Sequence, residues 1–270
     1  LLDSNLMIAT LGRTLLSFPE WLGRLFFLLF DMVMELIRLV CGQYKWSLFQ
    51  VLRKQTLLQV WYTAIQVIPL LTLIAMGLGG VLIGVGFGLL QQFGAEDLFV
   101  PLIQYGLIGE VLPLGLTLII LARSSTAITA DVASQVINGD LDVMKAHGMS
   151  IPLLITAPRI LGILLAFISV FGIFIGVLIG STLLWAPLFD ITFYQLQSIW
   201  TQSLTLQEYE WVAIKLITNA LLIGSISCYK ALHIRRDIRE LPKASSQSVI
   251  LALFAIFLFE GVWLFVRWFT

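Results

Sequence analysis

Glu110 is the residue of this sequence whose surroundings most need a chemical explanation. It lies three residues before Pro113 inside a long apolar run, LIQYGLIGEVLPLGLTLII. A carboxylate in such a run must be protonated, paired or turned toward a water-filled cavity, because burying the bare charge is costly. No Lys or Arg lies within a helical turn of it, so a partner in the same helix is excluded and a partner on another segment is left open. The functional reading is a cavity-lining or gating group. The plain reading is a charge resting near a membrane surface.

Other reactive groups are sparse. Only two histidines occur, His147 and His233, and no HExxH, GxSxG or metal-ligand spacing accompanies them. Metal and nucleophilic catalysis need such groups at close quarters, so the chain is not expected to be an enzyme or to hold a metal. No GxxxxGK[ST] loop is present, so any ATP and Mg would be bound by a partner chain. Cys41 and Cys228 have no CxxC neighbour and read as small buried side chains.

The elements that must position Glu110 follow from composition. Of 270 residues, 59% are hydrophobic and 12% charged, against roughly 25% charged in soluble domains. That excludes a water-soluble fold. Mean hydropathy is +0.97 and spreads over several long runs, so the expected class is an all-α, polytopic membrane protein. Sixteen basic and sixteen acidic residues cancel, which gives no sign of a nucleic-acid partner.

Apolar runs place five spans near residues 61–90, 102–121, 151–185, 211–229 and 249–269. Residues 1–60 are set apart as an N-terminal region ahead of the five-span domain, 61–270. Within it, WLGRLFFLLFDMVMELIRLV carries Arg24, Asp31, Glu35 and Arg38 on one helical face, which suits a helix lying in the membrane plane. A sixth crossing with internal ion pairs is the rival. Fourteen of the sixteen Lys and Arg fall before the first span, in or beside the loop 123–159 that joins the second and third, or between the fourth and fifth. The opposite loops hold Glu96, Asp97, Asp190, Glu208 and Glu210 and no basic residue. The positive-inside rule therefore predicts a cytoplasmic N-terminus and an external C-terminus.

Two further patterns bear on function. Gly80, Gly84 and Gly88 in the first span, and Gly172, Gly176 and Gly180 in the third, repeat GxxxG steps that favour close helix approach, with plain packing as the alternative. The loop 123–159 is far more polar than its flanks and is expected to form a helix outside the membrane. Asp140, Asp142, Met144, Lys145 and His147 end at Gly148, a natural helix terminus, and Pro152 restarts the chain. Met144 and His147 are expected on one face of that helix.

Taken in order, these residues resemble the MlaE-type permeases of lipid-transport ABC systems that work with MCE-domain proteins. Glu110 with Pro113 resembles that family's Glu-x-x-Pro, Ala122-Arg123 the end of its Ala-Gly-Arg, and Thr129-Ala130-Asp131 its Thr-Ala-Glu. Residues 146–152 are similar to its Met-Gly-x-x-Pro turn, Pro158-Arg159 to its Pro-Arg, and Gly80, Ile83, Gly84 and Gly88 to its first-span glycines. The chain departs from the pattern at Gly109, where an Arg is common, at Leu121-Ala122, at Asp131, and in HIRRDIRELPKASSQ, where a glycine-rich connection is usual.

The resemblance implies a homodimer in a bacterial inner membrane, with the plastid inner envelope as alternative. It implies a cytoplasmic ABC ATPase that binds the ATP and Mg, an external MCE-domain protein and, in some such systems, a STAS-domain protein. The cargo would be membrane phospholipid. Leu89, Gln92, Phe93 and Glu110 are the residues expected to line the lipid cavity. Asp140, Met144, Lys145, His147 and Gly148 would form a coupling helix for the ATPase. Two rival functions stand beside this: a proton- or ion-coupled secondary transporter using Glu110 and Asp131, and a structural scaffold of a membrane complex. Inverted repeats, which the first would favour, are not apparent.

Overall fold

The computed structural model describes residues 23, 27–35, 37–38, 46–204 and 206–269. These residues are overwhelmingly helical, and no strand occurs among them. Five helical segments are long and apolar enough to cross a membrane: Leu48–Gln92, Glu96–Asn138, Pro152–Phe189, Glu208–Leu232 and Ile238–Arg267. The chain is an integral membrane protein, with these five spans among its described residues. Alternation of the spans gives the bundle two ends. Residues around 92–96, 189–208 and 267 share one, the acidic end. Arg53, Lys54, Lys145 and the 232–238 connection share the other, the basic end.

The first span starts well before the apolar run that betrays it. Its 45 residues would reach roughly 68 Å at 1.5 Å per residue, more than twice a roughly 30 Å hydrocarbon core. The extra turns carry Arg53, Lys54, Gln55 and Gln59, so they read as polar yet continue the same helix beyond the basic end. The second span is likewise prolonged. Its helix runs on through Asn138 before Gly139, with φ of +83°, reverses it. Much of the loop 123–159 is thus a continuation of the second span, and only Asp140–Ala146 forms a separate short helix. Gly148, with φ of +69°, and Pro152 close that helix and restart the chain where the sequence places them.

A proline accounts for one wide turn in each of three spans. Wide π-type turns occupy Trp61–Ile65, Leu102–Val111 and Pro152–Thr156, and each includes the residue four before a proline: Pro69, Pro113 or Pro158. A proline has no N–H for that residue's carbonyl, and its ring crowds it, so the helix widens there.

The third span is the spine. It packs along the first on one side and the fourth on the other, while the fourth contacts both the second and the fifth. Ile163, Ala166, Phe167 and Val170 of the third span and Ala220, Ile223 and Ile226 of the fourth are all buried in one apolar core. The fifth span has only 17% of its apolar stretch buried within the chain, against 61% for the fourth, so Phe254, Phe257 and Val262 face outward. The helix over 27–35 buries Met32 against Leu52, Leu153, Ala157 and Ile160 and leaves Phe27, Phe30, Val33 and Met34 exposed. Of its expected polar face, Glu35 pairs with Arg38 at 3.1 Å and Asp31 is exposed, while Arg24 lies outside the described residues. Cys228 is buried, and Cys41 also lies outside them.

The close approaches between spans fall at particular glycines. A Cβ at Gly224 would meet Ile160 Cγ1 at 2.8 Å and its backbone Cα at 3.3 Å, and one at Gly162 would meet Gln59 Cβ at 2.5 Å. One at Gly79 would collide with Ser181 Oγ. Of the two GxxxG series, Gly80 and Gly84 face the rings of Trp185 and Phe189, whereas Gly88, Gly172, Gly176 and Gly180 face open space within the chain. Gly224→Leu is therefore expected to destabilise the detergent-solubilised protein by about 1–3 kcal/mol, read as a lower unfolding temperature. Gly176→Ala should leave the fold of the single chain unchanged.

Candidate functional site: an ion-pair network between three spans

Glu110 is paired, and its partners come from other spans. Lys215 of the fourth span reaches its Oε2, and Arg267 at the end of the fifth donates to its Oε1 at 3.1 Å. Lys215 also holds Glu260 at 2.8 Å, and Arg267 also holds Glu208 at 2.7 Å. Five charged residues thus form one continuous network near the acidic end. Lys215 is 1% exposed, and Glu208 and Glu260 are buried as well.

Pro113 explains why the motif carries a proline as well as a glutamate. In an α-helix the carbonyl of Gly109 would accept from the N–H of residue 113, which proline lacks. Lys215 Nζ donates to that carbonyl instead, at 3.3 Å, beside its two carboxylates. One lysine therefore receives the carboxylate of residue 110 and the backbone oxygen that Pro113 leaves over. Asn219, one turn beyond Lys215, donates to Glu260 Oε1 at 3.3 Å and to Thr117 Oγ1 at 3.0 Å. Thr117 in turn donates to the carbonyl of Pro113 at 2.7 Å.

Gly109 has its own steric reason. A Cβ there would lie 2.7 Å from Arg267 Nη1, so the guanidinium of the fifth span occupies the space a side chain would need. Arg267 also stacks over Tyr105, 5.4 Å from the ring centroid, a cation–π contact that favours the charge. The departure noted at Gly109 is thereby accounted for: an arginine stands beside Glu110, delivered from another helix.

Sequence reasoning singled out Glu110 and missed Lys215, Glu208, Glu260 and Arg267. Lys215 and Arg267 are the two basic residues outside the fourteen that define the basic end, and a lysine inside an apolar helix needs carboxylates as surely as Glu110 needs a cation. The remaining candidates lie apart from the network. Leu89, Gln92 and Phe93 are exposed near the acidic end of the first span. At the basic end Asp131 binds Arg159 at 2.5 Å, which joins two of the motif fragments in space. In the short helix Asp140–Ala146, Leu141 is buried and Met144 packs partly against the core. Asp140, Val143, Lys145, His147 and Gly148 are exposed, and Arg236 binds Asp142. Asp140, Val143 and His147 fall on one outward face.

The fold and network define a polytopic membrane protein with charged groups held between its spans. Compared with known families, the sequence matches the one described as Permease MlaE over residues 56–266, more than three quarters of its length. The chain belongs to the MlaE permease family and is a membrane permease subunit of a lipid transporter. No curated protein matches it.

Three carboxylates and two cations give the network a formal excess of one negative charge. Glu110→Gln removes that excess and leaves each cation one carboxylate, whereas Lys215→Met leaves three carboxylates facing one cation. Breaking a buried pair by deleting one partner costs roughly 3–5 kcal/mol. Thermal unfolding in detergent is thus expected to show a large loss for Lys215→Met and a clearly smaller one for Glu110→Gln; equal losses contradict the assignment of Lys215 as hub.

Proposed function

We propose that this permease is driven by ATP hydrolysed in a separate cytoplasmic ATPase and that it moves phospholipid as a homodimer. Membership of the permease family is the observation that carries the reading, and the short helix Asp140–Ala146 supports the mechanical part. That helix sits at the basic end, anchored through Leu141 and Met144 and tied by Arg236–Asp142 to the connection between the fourth and fifth spans. A push on its exposed Asp140, Val143 and His147 face would reach the second, fourth and fifth spans together, and these are the spans that carry the ion-pair network. The basic end faces the cytoplasm of a bacterial inner membrane in this reading. The acidic end meets an MCE-domain protein.

Each carboxylate and cation of the network already has a partner, so the network acts as a brace rather than as a reagent. It holds the acidic ends of three spans in register while Leu89, Gln92 and Phe93, exposed on the first span, offer a wall to a lipid lodged between two copies. The open glycines Gly172, Gly176 and Gly180 leave a smooth surface on the third span for lipid or for the second copy. No chemistry on the lipid is required. The energy comes from closure of the motor.

Purification of the tagged chain from its native membrane in mild detergent, with mass spectrometry of proteins and lipids, is expected to recover an ATPase, an MCE-domain protein and bound phospholipid. A lone chain whose activity needs no motor and collapses with the proton gradient would support ion-coupled transport instead. Val143→Glu places a charge on the outward face of the short helix and is expected to release the ATPase or to uncouple hydrolysis from lipid transfer. An intact complex with unchanged lipid-stimulated turnover would remove that helix from the motor contact.

A further inference from the structure

A second polar site lies at the opposite end of the molecule from the ion-pair network. A cavity of about 510 Å³ opens between the start of the first span, the end of the second and the beginning of the third. Its first-span wall is a polar ladder, Gln55, Gln59, Thr63 and Gln66, at steps of four, four and three residues, which keeps all four on one helical face. Facing the ladder are Arg123, Asp131 and Arg159.

The charges in this cleft do not cancel. Asp131 is held by Arg159 at 2.5 Å and by Gln135 at 3.3 Å. Arg123 forms no ion pair among the described residues. It donates one N–H to the carbonyl of Gln66 at 3.0 Å and another to the side-chain oxygen of the same residue, both neutral acceptors. A guanidinium carries five N–H donors, so three remain, on an exposed group that two bonds already orient. Two cations against one carboxylate leave the cleft with one positive charge in excess. Gln55 makes no side-chain hydrogen bond among the described residues and stands exposed at the mouth.

Depth identifies what the charge would meet. From Gln92 back to Gln66 the helix covers roughly 39 Å, enough to cross a hydrocarbon core of roughly 30 Å, so Gln55–Gln66 lies at the level of lipid headgroups. Leu58 and Tyr62, both exposed, flank the ladder with apolar surface. A planar guanidinium matches a phosphate oxygen pair with two parallel hydrogen bonds.

We propose that this cleft binds a phosphate group, and that its source is the headgroup of a phospholipid in the leaflet at the basic end. Arg123 is the anion-binding residue, the glutamine ladder supplies neutral donors, and Leu58 and Tyr62 receive the start of the acyl chains. The permease thus holds a lipid at its basic end as well as the one its transport role calls for. This inference rests on the reading of the chain as a lipid permease for its membrane setting, but not on the motor or the direction of transport.

A photoreactive benzoylphenylalanine placed at Ala127, an exposed position lining the cleft, tests it in the full chain within ³²P-labelled membranes. The expected result is a phospholipid adduct that falls about tenfold in Arg123→Gln, the scale of a lost charge-assisted hydrogen bond. The same probe at Leu165, an exposed apolar position of the third span, should give an adduct that ignores Arg123→Gln. Gln55→Glu, a change on an exposed side chain that leaves the fold untouched, should weaken the Ala127 adduct by repulsion. If the lipid adduct is insensitive to both variants while the purified chain binds labelled inorganic phosphate in an Arg123-dependent manner, the site is a phosphate site supplied by the free anion. Insensitivity of both lipid and phosphate overturns the proposal. Full lipid transfer alongside that double negative would leave the transport reading standing, and an Arg123-dependent adduct in a chain that transports nothing would do the reverse.

Discussion

The structure depends on the electrostatic problem of keeping carboxylates inside an apolar bundle. Glu110, Glu208 and Glu260 project from the second, fourth and fifth spans, and each would be costly alone. Lys215 and Arg267 resolve all three, because each cation bridges two carboxylates. The bridging ties three helices at the acidic end, as a buried hydroxyl cluster of Ser125, Thr129, Ser227 and Ser248 joins the same three nearer the basic end, and between the two their packing rests on interchangeable Leu, Ile and Val contacts. Dispersion between apolar helices in lipid fixes neither rotation nor depth sharply, since lipid chains offer similar contacts. A lysine that must meet residues 109, 110 and 260 at once allows one arrangement.

Pro113 makes the arrangement specific. By leaving the Gly109 carbonyl without its helical donor and widening the turn, it turns a second acceptor toward Lys215 and frees the local helix from strict register. Gly109 then admits the guanidinium of Arg267. Proline, glutamate and glycine in this stretch act on one cluster from a single helical segment. At the basic end a different logic operates. Asp131 and Arg159 close a pair between the second and third spans, while Arg123 is stabilised by a backbone carbonyl and a neutral amide and keeps its charge for the surroundings.

The five spans among the described residues were readable because apolar runs long enough to cross a membrane leave little choice. Gly148 and Pro152 were readable because helix ends have strong local chemistry, and the short helix Asp140–Ala146 followed from them. Helix ends without such punctuation were not. The first span begins among Arg53, Lys54 and Gln55, where composition suggests that a membrane segment is over although the helix is not. Glu110 stood out as a charge needing a partner, but the identity of that partner is a through-space fact involving residues 215 and 267. The glycine series show the limit of spacing as a signal: Gly80 and Gly84 meet aromatic rings, Gly172, Gly176 and Gly180 meet nothing within the chain, and close contacts fall at Gly79, Gly162 and Gly224. Which face of a helix its neighbour covers is decided by the whole bundle.

A brace of paired charges at one end, a short helix anchored at the other and continuous spans between them suit a machine moved from outside. Every carboxylate of the network is already held by a cation, and in the function proposed above the motion comes from a partner. Reconstitution of the natively purified complex into liposomes, with transfer of a fluorescent phospholipid followed on addition of ATP, tests this most directly. The account predicts transfer that starts with ATP, stops with vanadate and is indifferent to a pH gradient. Transfer that proceeds without ATP and follows the pH gradient would contradict it.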